Sequence, residues 1–140
     1  MVLPLRHIAY VRHRMVGFEV NERYPEFKGR RMKRIGMVIG IRPDRMAAYE
    51  TLHAASNPGV RDLLNKYHIH NFSIYLHELD DDNFCLFGYY EYTGNDYEGD
   101  MRRLDDEPRN IEWLGVTAPM QIPIRGSEAW AIMREVYHNP

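Results

Sequence analysis

The first clear periodicity along the chain is an alternation of bulky and small residues that follows Met32. Bulky apolar side chains occupy every second position from Ile35 to Ile41, while Gly36 and Gly40 fall on the opposite side. A period of two predicts a β-strand. The glycine side is nearly bare, so another group can approach the backbone closely there.

A helical pattern follows this strand. Pro43 and Asp44 predict a helix start. The apolar side of this helix carries residues that recur at spacings of three and four, namely Met46, Tyr49, Leu52 and His53. Asn57 and Pro58 predict a second helical segment, with asparagine as its N-cap and proline at its first helical position.

The rest of the chain predicts a hairpin, a long helical region and a last strand. Residues 72–76 and 84–92 predict two strands around the acidic turn at 80–83. Residues 96–120 predict a mostly helical region that is interrupted near Pro108, and residues 131–137 predict the last strand. The order βαββαβ indicates an α+β fold, a ferredoxin-like sandwich of the dimeric α+β barrel type with helices on one face of the sheet.

Such a sheet leaves its other face without helices. Two short helices cannot cover all of the apolar strand residues, which include Ile41, Leu86, Tyr90 and Val136. An exposed apolar sheet face usually finds a partner. We therefore expect a homodimer that forms through the open sheet face.

Residues 1–31 differ from the rest of the chain in pattern and in charge. They show no sustained period, and their seven Lys/Arg and three Asp/Glu give +4, whereas the eleven and seventeen in residues 32–140 give −6. We predict a loosely ordered N-terminal extension at 1–31, or a reading frame begun upstream of a true start at Met32, and an α+β domain at 32–140. A docking arm and an organellar transit peptide are the alternatives.

Composition excludes several classes of function. The acidic domain has no basic stripe, so we expect no nucleic-acid partner. No apolar run reaches the roughly 18 residues of a membrane span, and no apolar signal segment begins the chain. The single cysteine, Cys85, lies in an apolar run, which indicates a core residue and a reducing compartment. We expect a cytoplasmic protein.

Tyr49 and His53 are the strongest candidates for chemistry. A spacing of four places both side chains on one helix side, the side that faces the sheet. Histidine suits proton transfer because its ordinary pKa of about 6.5 is close to working pH. A phenol and an imidazole in an apolar cleft could bind and protonate a sugar oxygen. The alternative is a buried pair with satisfied hydrogen bonds.

Trp113 and the adjacent Glu112 form a second candidate pair. Aromatic rings pack on the apolar face of a sugar, and carboxylates accept hydrogen bonds from its hydroxyls. The alternative is a core tryptophan beside a solvated glutamate. His68 and His70 have the spacing of a zinc pair, but no second pair of ligands supports a metal site. We expect neither a metal nor a cofactor.

Several runs together resemble the L-rhamnose mutarotase family. The similarity extends from about Lys33 to Pro140 and rests on residues 41–44, Tyr49, His53, 70–76, 84–91, the segment around Trp113, and 134–138. The resemblance implies a homodimer of ferredoxin-like subunits that exchanges α- and β-L-rhamnopyranose without a cofactor. It also implies that His53 is the proton donor and that the sugar is bound by Tyr49, Phe72, Glu112 and Trp113.

Two of these positions depart from the family. The family usually has tyrosine where this chain has Phe72, and tryptophan where it has Glu112. Residues that carry the chemistry are kept while residues that contact the sugar differ. We therefore expect an aldose mutarotase, an isomerase that opens and recloses the ring of a free 6-deoxy sugar by acid–base catalysis. L-Rhamnose is the first candidate and L-fucose the second.

Two further functions stay open at this stage. A sugar-binding module would use Tyr49 and His53 only to hold its ligand. A ferredoxin-like enzyme of another class could have the same architecture, because a fold does not determine a function. The base that removes the anomeric proton is also open, with water and Glu112 as candidates.

Overall fold

The computed structural model of the protein describes residues 32–140, so the extension predicted at 1–31 lies outside the described residues. The strands are Lys33–Ile41 (β1), Ile69–Asp80 (β2), Asn83–Tyr92 (β3), Gln121–Ile122 (β4) and Ala131–Met133 (β5). The helices are Met46–Leu52 (α1), Arg61–Lys66 (α2), Tyr97–Asp106 (α3) and Pro108–Thr117 (α4), with 3-10 turns at Pro43–Arg45 and Ala118–Met120.

The strands form one antiparallel sheet. Its order is β2-β3-β1, and the far edge of β1 pairs first with β5 along Gly36–Val38 and then with β4 at Gly40 and Ile41. This arrangement confirms the ferredoxin-like α+β class. The short strand β4 was not predicted, because two residues are too few to show a period.

Alternate residues of the strands form an inner face that the helices cover. Ile39 is paired with Leu86 and Met37 with Gly88, and cross-strand partners project to the same side. This side is the core, and its buried members include Ile39, Ile41, Leu63, Leu86, Tyr90, Tyr92, Met101 and Leu104. Cys85 is buried, as predicted.

Of the four apolar residues that two short helices were not expected to cover together, Ile41, Leu86 and Tyr90 are covered. All three are on the inner face and less than a tenth exposed. The alternation along each strand could not say which of its two sides the helices would cover. The fourth residue, Val136, is 83% exposed, but it follows the sheet rather than belonging to it.

The last strand is shorter than predicted. It ends at Met133, whereas the apolar pattern extended the prediction to residue 137. Beyond it, the Arg34 Nε donates to a Glu135 carboxylate oxygen over 2.9 Å, while Tyr137 is exposed. The apolar residues at the chain end therefore lie outside the hydrogen-bonded ladder.

The predicted start of the second helical segment is also wrong. Helix α2 begins at Arg61, and no side-chain cap precedes it. The Asn57 amide Nδ2 instead donates to the Leu52 carbonyl over 2.9 Å, so Asn57 satisfies the end of α1 rather than the start of α2. By contrast, Asp96 caps α3 by accepting from the Gly99 amide over 3.1 Å. Within residues 32–140 no helix is long and apolar enough to cross a membrane.

Candidate active site

A cavity of about 1040 Å³ lies between the inner face of the sheet and the helices. Cavities of this size hold small-molecule ligands, which are oriented by a few polar groups in a mostly apolar wall. Most of the lining side chains are apolar. Prominent polar or aromatic groups among them are Tyr49, His53, Arg61, Tyr90, Tyr97, Trp113 and Gln121.

Tyr49 and His53 meet as their spacing predicts. Tyr49 lies within α1 and His53 directly follows its last residue. Their rings stack with centroids 4.2 Å apart and an interplanar angle of 27°. The His53 Nδ1 lies 2.7 Å from the Tyr49 carbonyl oxygen. A carbonyl only accepts hydrogen bonds, so Nδ1 carries a proton and Nε2 of the neutral ring is a proton acceptor.

Burial lowers the pKa of His53 below its ordinary value. The hydrogen bond to the Tyr49 carbonyl opposes this shift, and the nearby Arg61 guanidinium adds to it. The neutral ring therefore predominates at neutral pH, because histidine in water already titrates near pH 6.5. A neutral imidazole with a protonated Nδ1 is suited to accept a proton at Nε2.

Arg61 also holds the chain that follows His53. Its guanidinium donates to the carbonyl oxygen of His53 over 3.0 Å and to that of Ala54 over 3.2 Å. It donates a third hydrogen bond to the Asn57 carbonyl. These bonds satisfy carbonyls that the end of α1 leaves without helical partners. Arg61 thereby fixes the segment from which the imidazole projects.

Tyr49 is buried, and its hydroxyl accepts a hydrogen bond from the Gln121 Nε2 over 3.4 Å. Burial raises the pKa of Tyr49 to about 12, against the opposing effect of the Gln121 amide. The phenol therefore keeps its proton at neutral pH. It can donate that proton in a hydrogen bond to an oxygen in the cavity.

Trp113 closes the cavity beside the histidine. Its ring meets the His53 ring edge-on, with centroids 5.1 Å apart. The indole also packs against Gly59. A Cβ atom at this position would lie 3.1 Å from the indole, and the φ angle of Gly59 is +52°. Glycine is needed at this position for both reasons. The indole is thus a fixed aromatic surface on which the apolar face of a sugar ring could pack.

Phe72 lines the cavity from the sheet. It lies at an irregularity in β2 between His70 and Ser73, where the register against β3 shifts. Its ring stacks on the Tyr90 ring with centroids 5.2 Å apart and an interplanar angle of 20°. Phe72 therefore contributes an aromatic surface without a polar atom.

Glu112 is not brought to the cavity. It lies exposed on α4 and is not among the lining residues, although the adjacent Trp113 is. Neighbouring helix residues point in directions about 100° apart, so one of two adjacent residues often faces solvent. The structure thus gathers Tyr49, His53, Phe72 and Trp113 around one cavity and leaves Glu112 outside it.

Other lining residues were not identified as candidate site residues from the sequence. Gln121 contacts Tyr49, which lies 72 positions away in the sequence. Arg61 lies in a helical segment in which the sequence showed no functional motif. Tyr90 and Tyr97 are two of ten tyrosines in the chain, and no motif distinguished them as site residues.

The His68 ring meets the Tyr92 ring edge-on. Residues 32–140 contain no group of three or more His, Cys, Asp or Glu side chains that could hold a metal ion.

Solved structures of known proteins bear on the fold of this chain. The crystal structure of an L-rhamnose mutarotase from Formosa agariphila matches with a TM-score of 0.58 at 17% identity, covering 77% of this chain and 99% of that one. A Nitrosomonas europaea protein described as an antibiotic biosynthesis monooxygenase matches with a TM-score of 0.49 at 16% identity, covering 81% and 97%. Among curated protein sequences there is no match.

The family comparison covers most of the described domain. A sequence model described as L-rhamnose mutarotase matches residues 34–139, which include all of the strands except the first residue of β1 and all of the helices. It also includes every residue singled out above as lining the cavity. The chain therefore belongs to the L-rhamnose mutarotase family of carbohydrate isomerases.

Proposed function

We propose that the protein interconverts the α and β anomers of a free 6-deoxy aldose, with L-rhamnose as the first candidate. The observation that carries this proposal is the stacked Tyr49–His53 pair, which lines the cavity beside the Trp113 indole. The membership of the chain in the mutarotase family supports the same reaction.

The reaction needs one proton acceptor and one proton donor. His53 Nε2 takes the proton of the anomeric hydroxyl while the C1–O5 bond breaks and O5 receives a hydrogen bond and then a proton. The product is the open-chain aldehyde. Rotation about C1–C2 and reclosure return the protons in the opposite direction, so the histidine that accepts in one half-reaction donates in the other. Acid–base catalysis of this kind contributes about 10²–10⁴-fold.

The Tyr49 hydroxyl is the donor that we assign to O5. Its raised pKa keeps it protonated, and the Gln121 amide that donates to it stabilises negative charge on the phenol oxygen. Glu112, which the sequence offered as a candidate base, is exposed and outside the cavity. The neutral His53 ring is therefore the better-placed acceptor.

Saturation-transfer NMR tests this function directly. Irradiation of the α-anomer signal of L-rhamnose transfers saturation to the β-anomer signal only when exchange is fast on the relaxation timescale. We expect the protein to produce this transfer at substoichiometric concentration, with L-fucose and other aldoses as comparison sugars. Sugar binding without any acceleration of exchange would instead identify a binding module.

We also propose that two copies of the chain associate through the outer face of the sheet. Cross-strand pairing places Val38, Phe87 and Tyr75 side by side on this face, and β4 and β5 add two apolar side chains at its edge, Ile122 and Met133. Tyr75 is 67% exposed and Ile122 is 50% exposed. An apolar surface of this kind is typical of an interface.

Light scattering coupled to size-exclusion chromatography measures the mass in solution. We expect a dimer for the unaltered protein and a monomer for Tyr75→Glu, because a charge at the centre of an apolar interface is costly to bury. Glu50→Lys, on the helical side of the molecule, is the matched charge control. A monomeric unaltered protein would contradict this interface.

A further inference from the structure

A pair of tyrosines forms a second polar group in the cavity. Tyr90 lies on the inner face of β3 and Tyr97 is the first residue of α3, and both line the cavity. Their hydroxyl oxygens are 2.7 Å apart, and either one can be the donor. They are distinct from the Tyr49–Gln121 contact, which joins α1 to β4. The pair therefore lies on elements other than the one that carries Tyr49.

The hydrogen-bonding capacity of this pair is only partly used. Each phenol has one donor and can accept, so a single bond between them consumes one donor and leaves the other. Within residues 32–140, neither hydroxyl has a hydrogen bond other than the one that joins them. Burial raises the pKa of both tyrosines, so both keep their protons at neutral pH. One O–H donor and acceptor lone pairs remain for a ligand.

Aromatic rings pack against both members of the pair. Phe72 stacks on Tyr90, and the Tyr92 ring meets the Tyr97 ring edge-on at 5.1 Å. The Lys33 ammonium lies 5.2 Å from the centroid of the Tyr97 ring. Ile35 and Ile74 line the same cavity. A largely buried polar group with an unused donor favours ligands that offer it a hydrogen bond, because leaving it unpaired is costly.

We propose that the hydroxyl pair of Tyr90 and Tyr97 binds a hydroxyl group of the sugar other than the anomeric one and thereby selects among aldoses. This inference rests on the proposed mutarotase function. Sites built to hydrogen-bond a substrate hydroxyl discriminate strongly against sugars that place it elsewhere, since both the site and the ligand lose a partner. Phe72 has no polar atom, so on this wall the stacked Tyr90 supplies the hydroxyl that reaches the sugar.

Two conservative variants test the pair. Tyr90→Phe and Tyr97→Phe each remove one oxygen atom and keep the ring. Tyr67→Phe is the matched control, because its hydroxyl also has a protein partner, Glu107 at 2.6 Å, but does not line the cavity. Anomer exchange is measured by saturation-transfer NMR for L-rhamnose, L-fucose and L-mannose, and the melting temperature of each variant is recorded.

We expect Tyr90→Phe and Tyr97→Phe to change the ratio of exchange rates between two of these sugars by about tenfold. Tyr67→Phe should leave the ratio unchanged even if it lowers the melting temperature. A purely structural pair would lower the melting temperature without moving the ratio, and that result overturns the inference while the mutarotase function stands.

The proposed mutarotase function would be contradicted by a different outcome, the absence of any accelerated anomer exchange. If the unaltered protein accelerates exchange of no aldose, the same three sugars are titrated and their dissociation constants are compared. An unchanged ratio of dissociation constants in both tyrosine variants, or no binding of any of the sugars, then overturns the inference as well. A changed ratio supports sugar selection by the pair in a protein that binds sugars without catalysing exchange.

Discussion

Two walls of the cavity differ in the chemistry that they offer. The helix wall, made of Tyr49, His53 and Trp113, contains an imidazole whose pKa is lowered by burial and a phenol held by an amide. The sheet wall, made of Phe72 and Tyr90 on the strands and of Tyr97 at the start of α3, offers aromatic surface and two phenols that remain protonated. We propose that the helix wall transfers protons and that the tyrosines of the sheet wall recognise a sugar hydroxyl.

We expect this difference to separate the residues that set the rate of anomer exchange from those that set the preference among sugars. A change on the helix wall should lower the exchange rate of every sugar by a similar factor, because it alters the reacting atoms. A change on the sheet wall should alter the rates of different sugars unequally. The resemblance read from the sequence implies a departure from the family on the sheet wall, at Phe72, whereas it implies a match at Tyr49 and His53.

The largest effect should come from His53→Asn. Asparagine keeps approximate size and polarity but does not titrate near neutral pH, so we expect exchange to fall on the order of 10²-fold or more for every sugar. His77→Asn is the matched control, because His77 is exposed on β2 and does not line the cavity. A folded His53→Asn protein with nearly normal exchange would remove His53 from the mechanism.

A smaller and unequal effect should come from Phe72→Tyr. The added hydroxyl introduces a hydrogen-bonding group on the sheet wall, and we expect the ratio of L-rhamnose to L-fucose exchange rates to rise by up to about tenfold. Glu112→Trp is the companion variant, and we expect almost no change from it because Glu112 is outside the cavity. A shift caused by Glu112→Trp alone would show that α4 contributes this side chain to the sugar site.

The pH dependence of exchange should move when Arg61 loses its charge. Exchange requires neutral His53, so it should fall as the pH drops through the lowered pKa of this residue, below about 6.5. Arg61→Gln removes a nearby positive charge and should raise that pKa, which shifts the acidic limb of the pH–rate profile to higher pH. Arg42→Gln, an exposed arginine paired with Asp44, provides the comparison. An identical acidic limb in the Arg61 variant would contradict this electrostatic coupling.

The same shift has a consequence for stability. The unfolded chain binds a proton at His53 more readily than the folded chain, because burial lowers the folded-state pKa. Folding is therefore favoured most above the unfolded pKa of about 6.5 and loses stability as the pH falls below it. His53→Asn should reduce this part of the pH dependence of the melting temperature.

The smallest effect should come from removing residues 1–31. They carry no core-forming pattern in the sequence, so a chain that begins at Met32 should fold, keep its oligomeric state and exchange both sugars at unchanged rates. Circular dichroism, light scattering and NMR exchange measure these three properties. A clear fall in melting temperature or a changed number of copies in the particle would show that the extension is structural.

Local patterns in the sequence were enough to predict most of the strands and helices and one candidate pair of site residues. The alternation along β1 and the three-and-four spacing in α1 fixed which residues share a side, because strand and helix periods are set by backbone geometry alone. For the same reason Tyr49 and His53 could be expected to meet. The class of the fold followed from the order of these elements.

The packing of the helices on the sheet settles which side of each strand is covered and which distant residues meet. Two short helices were not expected to cover all of the apolar strand residues, yet Ile41, Leu86 and Tyr90 are buried on the inner face. The contacts of Gln121 with Tyr49 and of Tyr90 with Phe72 and Tyr97 depend on strand register and on where α1 and α3 settle. These contacts join residues that are distant in the sequence. They form because many side chains together minimise exposed apolar surface and unpaired polar groups, and the local periodicity of a segment does not predict them.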